Sequence, residues 1–189
     1  VDGQTITYRE FIYILLNKPQ GVLSATEDRF QSTVLNLLPS DLIGFKPFPV
    51  GRLDKDTEGL LLLTNDGKLA HRLLAPKKQV PKTYYVQVEG LVTEKDRKAF
   101  QKGITLEDGY QTKPGILAII QAGSTSEVEL TIYEGKFHQV KRMFLALGKK
   151  VTYLKRLTMG PLSLDPDLKP GMYRELSPEE VELLSTYEP

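Results

Sequence analysis

The stretch Phe48-Pro49-Val50-Gly51-Arg52-Leu53-Asp54-Lys55-Asp56-Thr57-Glu58-Gly59-Leu60-Leu61-Leu62-Leu63-Thr64-Asn65-Asp66-Gly67 sets a dense cluster of charge directly ahead of an uninterrupted apolar run. The four leucines, bounded by Gly59 and by Thr64-Asn65-Asp66-Gly67, predict a buried strand over 59–64. At least one acid is thereby delivered to the edge of a core, where a carboxylate is costly unless paired or used. Asp66 is placed to cap a helix over 68–75, which Pro76 closes.

Outward from this segment, strands and helices alternate without an internal repeat. Residues 11–16 are continuously apolar and run into Asn17-Lys18-Pro19-Gln20-Gly21, the pattern of a buried strand entering a turn. Tyr84, Val86 and Val88 are spaced by two. Val128, Leu130 and Ile132 repeat that spacing against Glu127, Glu129 and Thr131, so both segments read as half-buried strands. Helices are expected over 93–102, ending at Gly103, and over 137–147, ending at Gly148. A loop-rich strand region fills 106–120. Mixed strands with segregated helices give an α+β fold, with a mixed, mainly antiparallel central sheet flanked by helices and loops.

The chain has 189 residues, 40% of them hydrophobic, and no low-complexity linker, which favours one large domain with a real core. No 18-residue apolar run and no signal-peptide pattern are present, so no membrane association is expected and a cytoplasmic monomer is the default. The absence of cysteine removes thiolate nucleophiles, disulfide frameworks and zinc fingers together. With His71 and His138 the only histidines, a histidine-rich metal site or a Ser-His-Asp triad has little material. The net charge of +1 hides segregation: residues 136–156 carry seven basic residues and no acid, 68–82 is also free of acids, and acids collect in 165–188. A positive face of this kind suits a polyanion partner, although charge alone supports an evenly scattered surface equally well.

On a helical wheel Phe137, Val140, Phe144 and Leu147 form one apolar stripe, with Lys141 just inside its edge and Arg142 pointing away. A lysine on an inward face needs an anion, and Asp54, Asp56 and Glu58 are the best-placed ones. The alternative, a lysine that snorkels to water, is the commoner fate. Acids at alternate positions before Gly59 also suggest a calcium loop. The last ligand position, however, falls on Asn65 rather than a bidentate glutamate, and Arg52 and Lys55 sit among the ligands, so calcium is rejected and no metal is expected. A glycoside hydrolase would need a protonated acid, which the neighbouring basic residues oppose.

Gly51-Arg52-Leu53-Asp54 with Thr57, Gly59-Leu60-Leu61 and Thr64-Asn65-Asp66-Gly67 resembles the signature of the RsuA/RluB/RluE/RluF family of rRNA pseudouridine synthases. The agreement continues at Lys82-Thr83-Tyr84-Tyr85-Val86, at Ile104 with Asp108-Gly109, at Gly135-Lys136-Phe137-His138-Gln139-Val140-Lys141-Arg142-Met143, and at Leu154-Lys155-Arg156 with Gly160. Ordered matches from Asn17 to Gly160 make a specific signal, unlike a lone short motif. Lys18-Pro19-Gln20-Gly21 and Thr33-Val34-Leu35 look closer to the small-subunit, RsuA-type enzyme.

The resemblance implies isomerisation of a uridine in ribosomal RNA, leaning to 16S rather than 23S rRNA, without cofactor or metal. Asp54 would act on the ribose of a flipped nucleotide, by attack on C1′ or by removal of the C2′ proton. Tyr84 would pack on the uracil, Lys141 would partner Asp54, and Leu154 would line the uracil pocket. Arg52 would enter the RNA stack, while Lys82 and Arg142 complete the expected substrate contacts. His138 is expected to be structural or an RNA contact, and His71 to face solvent. Residues 1–9 resemble the linker from an S4-type domain, leaving 10–189 as the catalytic domain. Two other classes stay open: a catalytically silent RNA-binding or ribosome-assembly protein on the same fold, and a carbohydrate-active enzyme, the latter disfavoured by the absence of tryptophan.

Overall fold

The computed structural model describes residues 9–189, so the linker expected over 1–9 lies almost wholly outside the described residues. In chain order the elements are β1 (Tyr13–Lys18), α1 (Ser40–Ile43), β2 (Phe48–Pro49), β3 (Glu58–Thr64), α2 (Gly67–Leu74), β4 (Lys82–Glu89) and α3 (Glu94–Lys102). They continue with β5 (Ile116–Gln121), β6 (Thr125–Ile132), α4 (Gln139–Ala146), β7 (Lys150–Met159), β8 (Leu162–Ser163), β9 (Tyr173–Glu175) and α5 (Pro178–Thr186). The strands form one sheet in the order β5-β6-β4-β7-β3-β1-β9, with β2 on β3 and β8 on β7. Every strand pair among the described residues is antiparallel except β3 with β7, so the fold is the expected α+β arrangement around a mixed, mainly antiparallel sheet.

The leucine run is continuous because β3 is covered on both faces. Leu61 and Leu63 pack with Ile14 and Leu16 against Phe100 of α3 and Phe144 of α4 in one core. Leu60 and Leu62 pack with Leu15 against Leu69 and Leu73 of α2 and Leu184 of α5 in the other. All four leucines are fully buried, each worth about 2 kcal/mol relative to exposure. Asp66 caps α2 as its position predicts, accepting from the Leu69 N–H at 3.1 Å. Thr93 opens α3 in a capping box with Asp96, whose carboxylate accepts from the Thr93 N–H at 2.8 Å.

β3 and β7 approach at Gly59, which sits opposite Arg156 with φ +114. A Cβ there would lie 2.2 Å from the Arg156 carbonyl oxygen, so no other residue fits without moving a central strand.

Two expectations need correction. The first strand is displaced from 11–16 to Tyr13–Lys18, because the polar Asn17 and Lys18 are themselves fully buried and hydrogen-bonded, while Phe11 is exposed. The helix expected over 137–147 starts at Gln139, because His138 adopts a left-handed conformation (φ 48, ψ 35) and turns Phe137 out of the stripe. The ten-residue β7 has no counterpart among the expected elements, because its basic residues mask its alternation. Arg156 is buried and bonds the Leu60 carbonyl, Lys141, Arg142 and Lys149 are paired with acids, and Lys136, Lys150 and Lys155 have no acid partner among the described residues. The acidic tail folds as β9 and α5, tied by Arg174, which donates bidentately to Glu180 at 2.7 and 2.8 Å and also reaches Asp165.

Arg174 and the Ser177 N–H hold the Glu180 carboxyl down at about 2, against an ordinary value of 4.5. A carboxylate with a depressed folded value contributes its stability above the unfolded value and loses it as pH falls towards the folded one. Glu180→Gln should therefore cost about 2 kcal/mol in urea unfolding at pH 7, with the difference from wild type shrinking between pH 4.5 and about pH 2. Gly59→Ala should lower the urea midpoint by an amount equivalent to more than about 2 kcal/mol at unchanged slope.

Candidate active site

The turn between β2 and β3 carries Asp54, and its backbone is fastened from below. Lys18, at the end of β1 and 0% exposed, points its ammonium at three carbonyls: Pro19 at 2.8 Å, Lys55 at 3.2 Å and Thr57 at 2.8 Å. Burial pulls its pKa down to about 8, against the opposing pull of Asp56, Asp54 and Glu58, so it is charged at neutral pH. Gly21 donates its N–H to the Lys55 carbonyl at 2.9 Å. Ser24 Oγ accepts from the Leu53 N–H and donates to the Leu53 carbonyl, both at 3.0 Å. Within the turn, the Thr57 N–H donates to the Asp54 carbonyl at 3.0 Å.

From above, α4 addresses the side chain. Lys141 Nζ lies 3.0 Å from Asp54 Oδ2 and 2.7 Å from Asp56 Oδ1, bridging the two carboxylates. Burial lowers the Lys141 pKa, but its bonds to Asp56 and Asp54 more than offset this and raise it above the ordinary value. The same bond to Lys141 is the main cause that holds the Asp56 carboxyl below the usual range. Of the three acids considered as Lys141 partners, Glu58 is the one left out: it accepts from the Tyr153 hydroxyl instead. His138 Nε2 lies 3.3 Å from Asp54 Oδ1, so both oxygens of this carboxylate have a nitrogen beside them. The left-handed backbone of His138 is what aims its ring at Asp54, and strain of this kind concentrates at functional sites.

Asp54 stands at the mouth of a cavity lined by Arg52, Tyr84, Ile132, His138, Val140, Lys141 and Leu154, among others. The sheet assembles the apolar wall. Tyr84 on β4 is paired with Arg156, and Val86 with Leu154 on β7, which sets Tyr84 and Leu154 on the same face two register steps apart. Ile132 closes β6 opposite Lys82. Both Tyr84 and Leu154 are buried, so the cavity has an apolar floor and a charged rim. That arrangement can seat a flat, uncharged ring and present a carboxylate to the group attached to it.

Of the residues anticipated from the sequence, Arg52, Asp54, Tyr84, Lys141 and Leu154 converge on this cavity, and two do not. Lys82 lines the neighbouring cavity with Tyr110, Tyr133 and Lys136. Burial and the nearby Arg156 depress its pKa to about 8. Arg142 is committed to scaffold: it donates to Glu107 at 2.6 Å, to Asp108 at 2.9 Å and to the Phe137 carbonyl at 2.9 Å. His71 is exposed on α2. Two functional groups escaped the sequence reading. Lys18 was signalled only by a lysine directly after an apolar run, and the closeness of His138 to Asp54 depends on a backbone conformation that no periodicity reveals. Among the described residues no cluster of three or more metal-ligating side chains occurs, and the ammonium of Lys141 fills the space between Asp54 and Asp56 where a cation would have to sit.

The sequence pattern of RNA pseudouridylate synthases matches residues 12–146, which hold the Asp54 turn, β4 and α4. An uncharacterized RNA pseudouridine synthase of Bacillus subtilis (strain 168), YtzG, is 58% identical over 186 residues, 98% of this chain and 78% of that protein. Ribosomal small subunit pseudouridine synthase A of Escherichia coli (strain K12) is 44% identical over 170 residues, 89% of this chain and 72% of that one. A crystal structure of a pseudouridylate synthase superposes with a TM-score of 0.86 at 43% identity, covering 92% of this chain and 74% of that one. A pattern matched across most of the length, with relatives this similar throughout, means that the chain belongs to the RNA pseudouridylate synthase family.

Proposed function

We propose that the protein converts a uridine of small-subunit ribosomal RNA to pseudouridine, with Asp54 acting on the ribose of a flipped nucleotide. The observation that carries this reading is the Asp54 carboxylate at the mouth of the Tyr84 and Leu154 cavity, with Lys141 Nζ 3.0 Å from its Oδ2. The choice of small-subunit RNA rests on the likeness to the E. coli enzyme, whose name states that target.

A uridine stacked in RNA cannot present C1′ and C5 together, so the nucleotide leaves the stack at a cost of a few kcal/mol. Arg52, on the rim, offsets part of that cost by stacking its planar cation on the vacated neighbours. The uracil enters against Tyr84, with Leu154 behind it. In one route Asp54 attacks C1′: the C1′–N1 bond breaks as the carboxylate ester forms, and uracil is released in place as an anion. The base turns, C5 bonds to C1′ as the ester breaks, the C5 proton leaves, and N1 ends protonated. In the other route Asp54 removes the C2′ proton as the C1′–N1 bond breaks, leaving a glycal and the uracil anion; C5 of the turned base then bonds to C1′ as C2′ regains its proton from Asp54, the C5 proton leaves, and N1 ends protonated. Both routes conserve every atom, as an isomerisation requires, and both need Asp54 as a free carboxylate. Lys141 serves that need by placing a positive charge 3.0 Å from Asp54 and 2.7 Å from Asp56. The apolar floor shields the detached base from water.

The test is incubation of unmodified small-subunit and large-subunit rRNA transcripts with the protein, followed by mapping of pseudouridine. Product is expected in the small-subunit RNA alone; product only in the large-subunit RNA would reassign the target, and none in either would reject the reading. Asp54→Asn should reduce turnover by at least about a hundredfold with RNA affinity retained. Lys141→Met should cripple turnover, because it leaves Asp54 and Asp56 without the cation that bridges them. A fully active variant would remove Lys141 from that role.

A further inference from the structure

Phe137 is 75% exposed, yet nothing about it is loose. Its carbonyl accepts from Arg142 Nη1 at 2.9 Å, and Arg142 is itself anchored by Glu107 and Asp108. On one side the Lys136 N–H donates to the Oε1 of Gln139, a buried side chain, at 2.9 Å. On the other, His138 holds the left-handed conformation. The Phe137 ring stacks on the His138 ring with centroids 3.8 Å apart and planes 18° from parallel. His138 in turn lies 3.3 Å from Asp54. An aromatic ring is thus fixed one ring-thickness beyond the contact of His138 with Asp54, between two residues, Lys136 and His138, that line the cavity. The ordinary fate of this residue, as the first member of the α4 apolar stripe, is burial. The fold spends backbone strain and three anchored side chains to hold it in water instead.

From this we infer that Phe137 is the platform on which an unpaired base next to the target uridine stacks. It acts as a specificity-determining residue that selects RNA with an unpaired flank. The inference rests on the function proposed above. Several features on the page select this occupant. One face of the ring is taken by His138 and the residue is largely open to solvent, so the free face suits a flat partner. The adjoining rim carries Lys136 and Arg52, which complement a phosphate backbone. Any strand that delivers its ribose to Asp54 passes within a nucleotide or two of this ring. Base stacking on an aromatic side chain tolerates sequence but not pairing geometry, so the platform reads strandedness more than base identity.

The experiment uses the full chain and a single-stranded oligoribonucleotide spanning the uridine mapped in rRNA. A companion set makes each flanking nucleotide abasic in turn. Phe137→Ala is expected to raise KM about 5- to 150-fold, the loss falling on KM rather than kcat, and Phe137→Trp to restore it. One abasic position should weaken binding by wild type and leave Phe137→Ala binding unchanged, which assigns the stacked base. Thermal midpoints should match, since the ring is exposed. An unchanged KM for Phe137→Ala withdraws the platform while leaving the synthase reading in place. So does a loss that is equal for intact and all abasic oligonucleotides, an outcome that would indicate a protein surface or a second copy as the occupant. If wild type forms no pseudouridine in either rRNA, the functional reading fails and the platform falls with it.

Discussion

A buried ammonium is the constraint on which the site depends. Lys18 has no exposure, and three backbone carbonyls satisfy it at the point where β1 gives way to a turn. Two of those carbonyls, from Lys55 and Thr57, belong to the turn that carries Asp54. A buried cation left without partners costs several kcal/mol, so the turn cannot drift from β1 without stranding a charge. The same ammonium sits in the field of Asp54, Asp56 and Glu58, which gather more negative charge than a core edge would otherwise tolerate. Lys18 fixes the backbone beneath these acids and Lys141 spans two of their side chains, so one cation sets position and the other sets charge.

The sheet makes this possible by bringing distant segments together at a single parallel contact. β3 delivers Glu58 and Gly59 beside Lys155 and Arg156 of β7, and the glycine lets the two backbones close to a distance no side chain permits. From that contact, β4 pairs along β7 and places Tyr84 near Leu154, while β6 leads from Ile132 into the loop that ends at His138. The apolar wall of the cavity, Tyr84, Ile132 and Leu154, is therefore set by register, which is strongly specified where a strand is buried, while its charged side comes from the Asp54 turn and the start of α4.

Much of this was legible in the sequence, for identifiable reasons. The leucine run, the Asp66 cap and the alternation in β4 and β6 are local patterns whose periods coincide with burial, and they were read within a residue or two. The meeting of Asp54 and Lys141 was foreshadowed because a lysine on an inward helical edge creates a demand for an anion. Failures fell where chemistry and period disagree. β7 carries Lys150, Lys155 and Arg156, so its alternation looked like a basic surface, yet Arg156 is buried and donates to the Leu60 carbonyl at 2.9 Å. Of the seven basic residues in 136–156, Lys141, Arg142 and Lys149 are engaged by acids of other elements, partners that charge counting along the chain cannot see. Phe137 fits the α4 stripe by spacing alone, and only the backbone of His138 removes it. The capping box at Ser177 that starts α5 was present in the sequence and passed over as part of an acidic tail.

The division of labour within the site follows from its dimensions. On the function proposed above, the cavity floored by Tyr84 and Leu154 takes one flipped nucleotide, and every uridine in an RNA presents it with the same atoms. Nothing inside such a cavity can distinguish one uridine from another, so selection among them has to come from what the rim meets before and after the flip. The groups with room to do this are Arg52 and Lys136 of the cavity lining and the neighbouring Phe137 ring, while Arg142, one of the expected substrate contacts, donates to Glu107, Asp108 and the Phe137 carbonyl. Arg142 thereby fixes the backbone from which the Phe137 ring projects. The cation beside Asp54 and the ring proposed to discriminate at the edge thus come from the same short segment, residues 136–142, while Lys18 holds the turn beneath them.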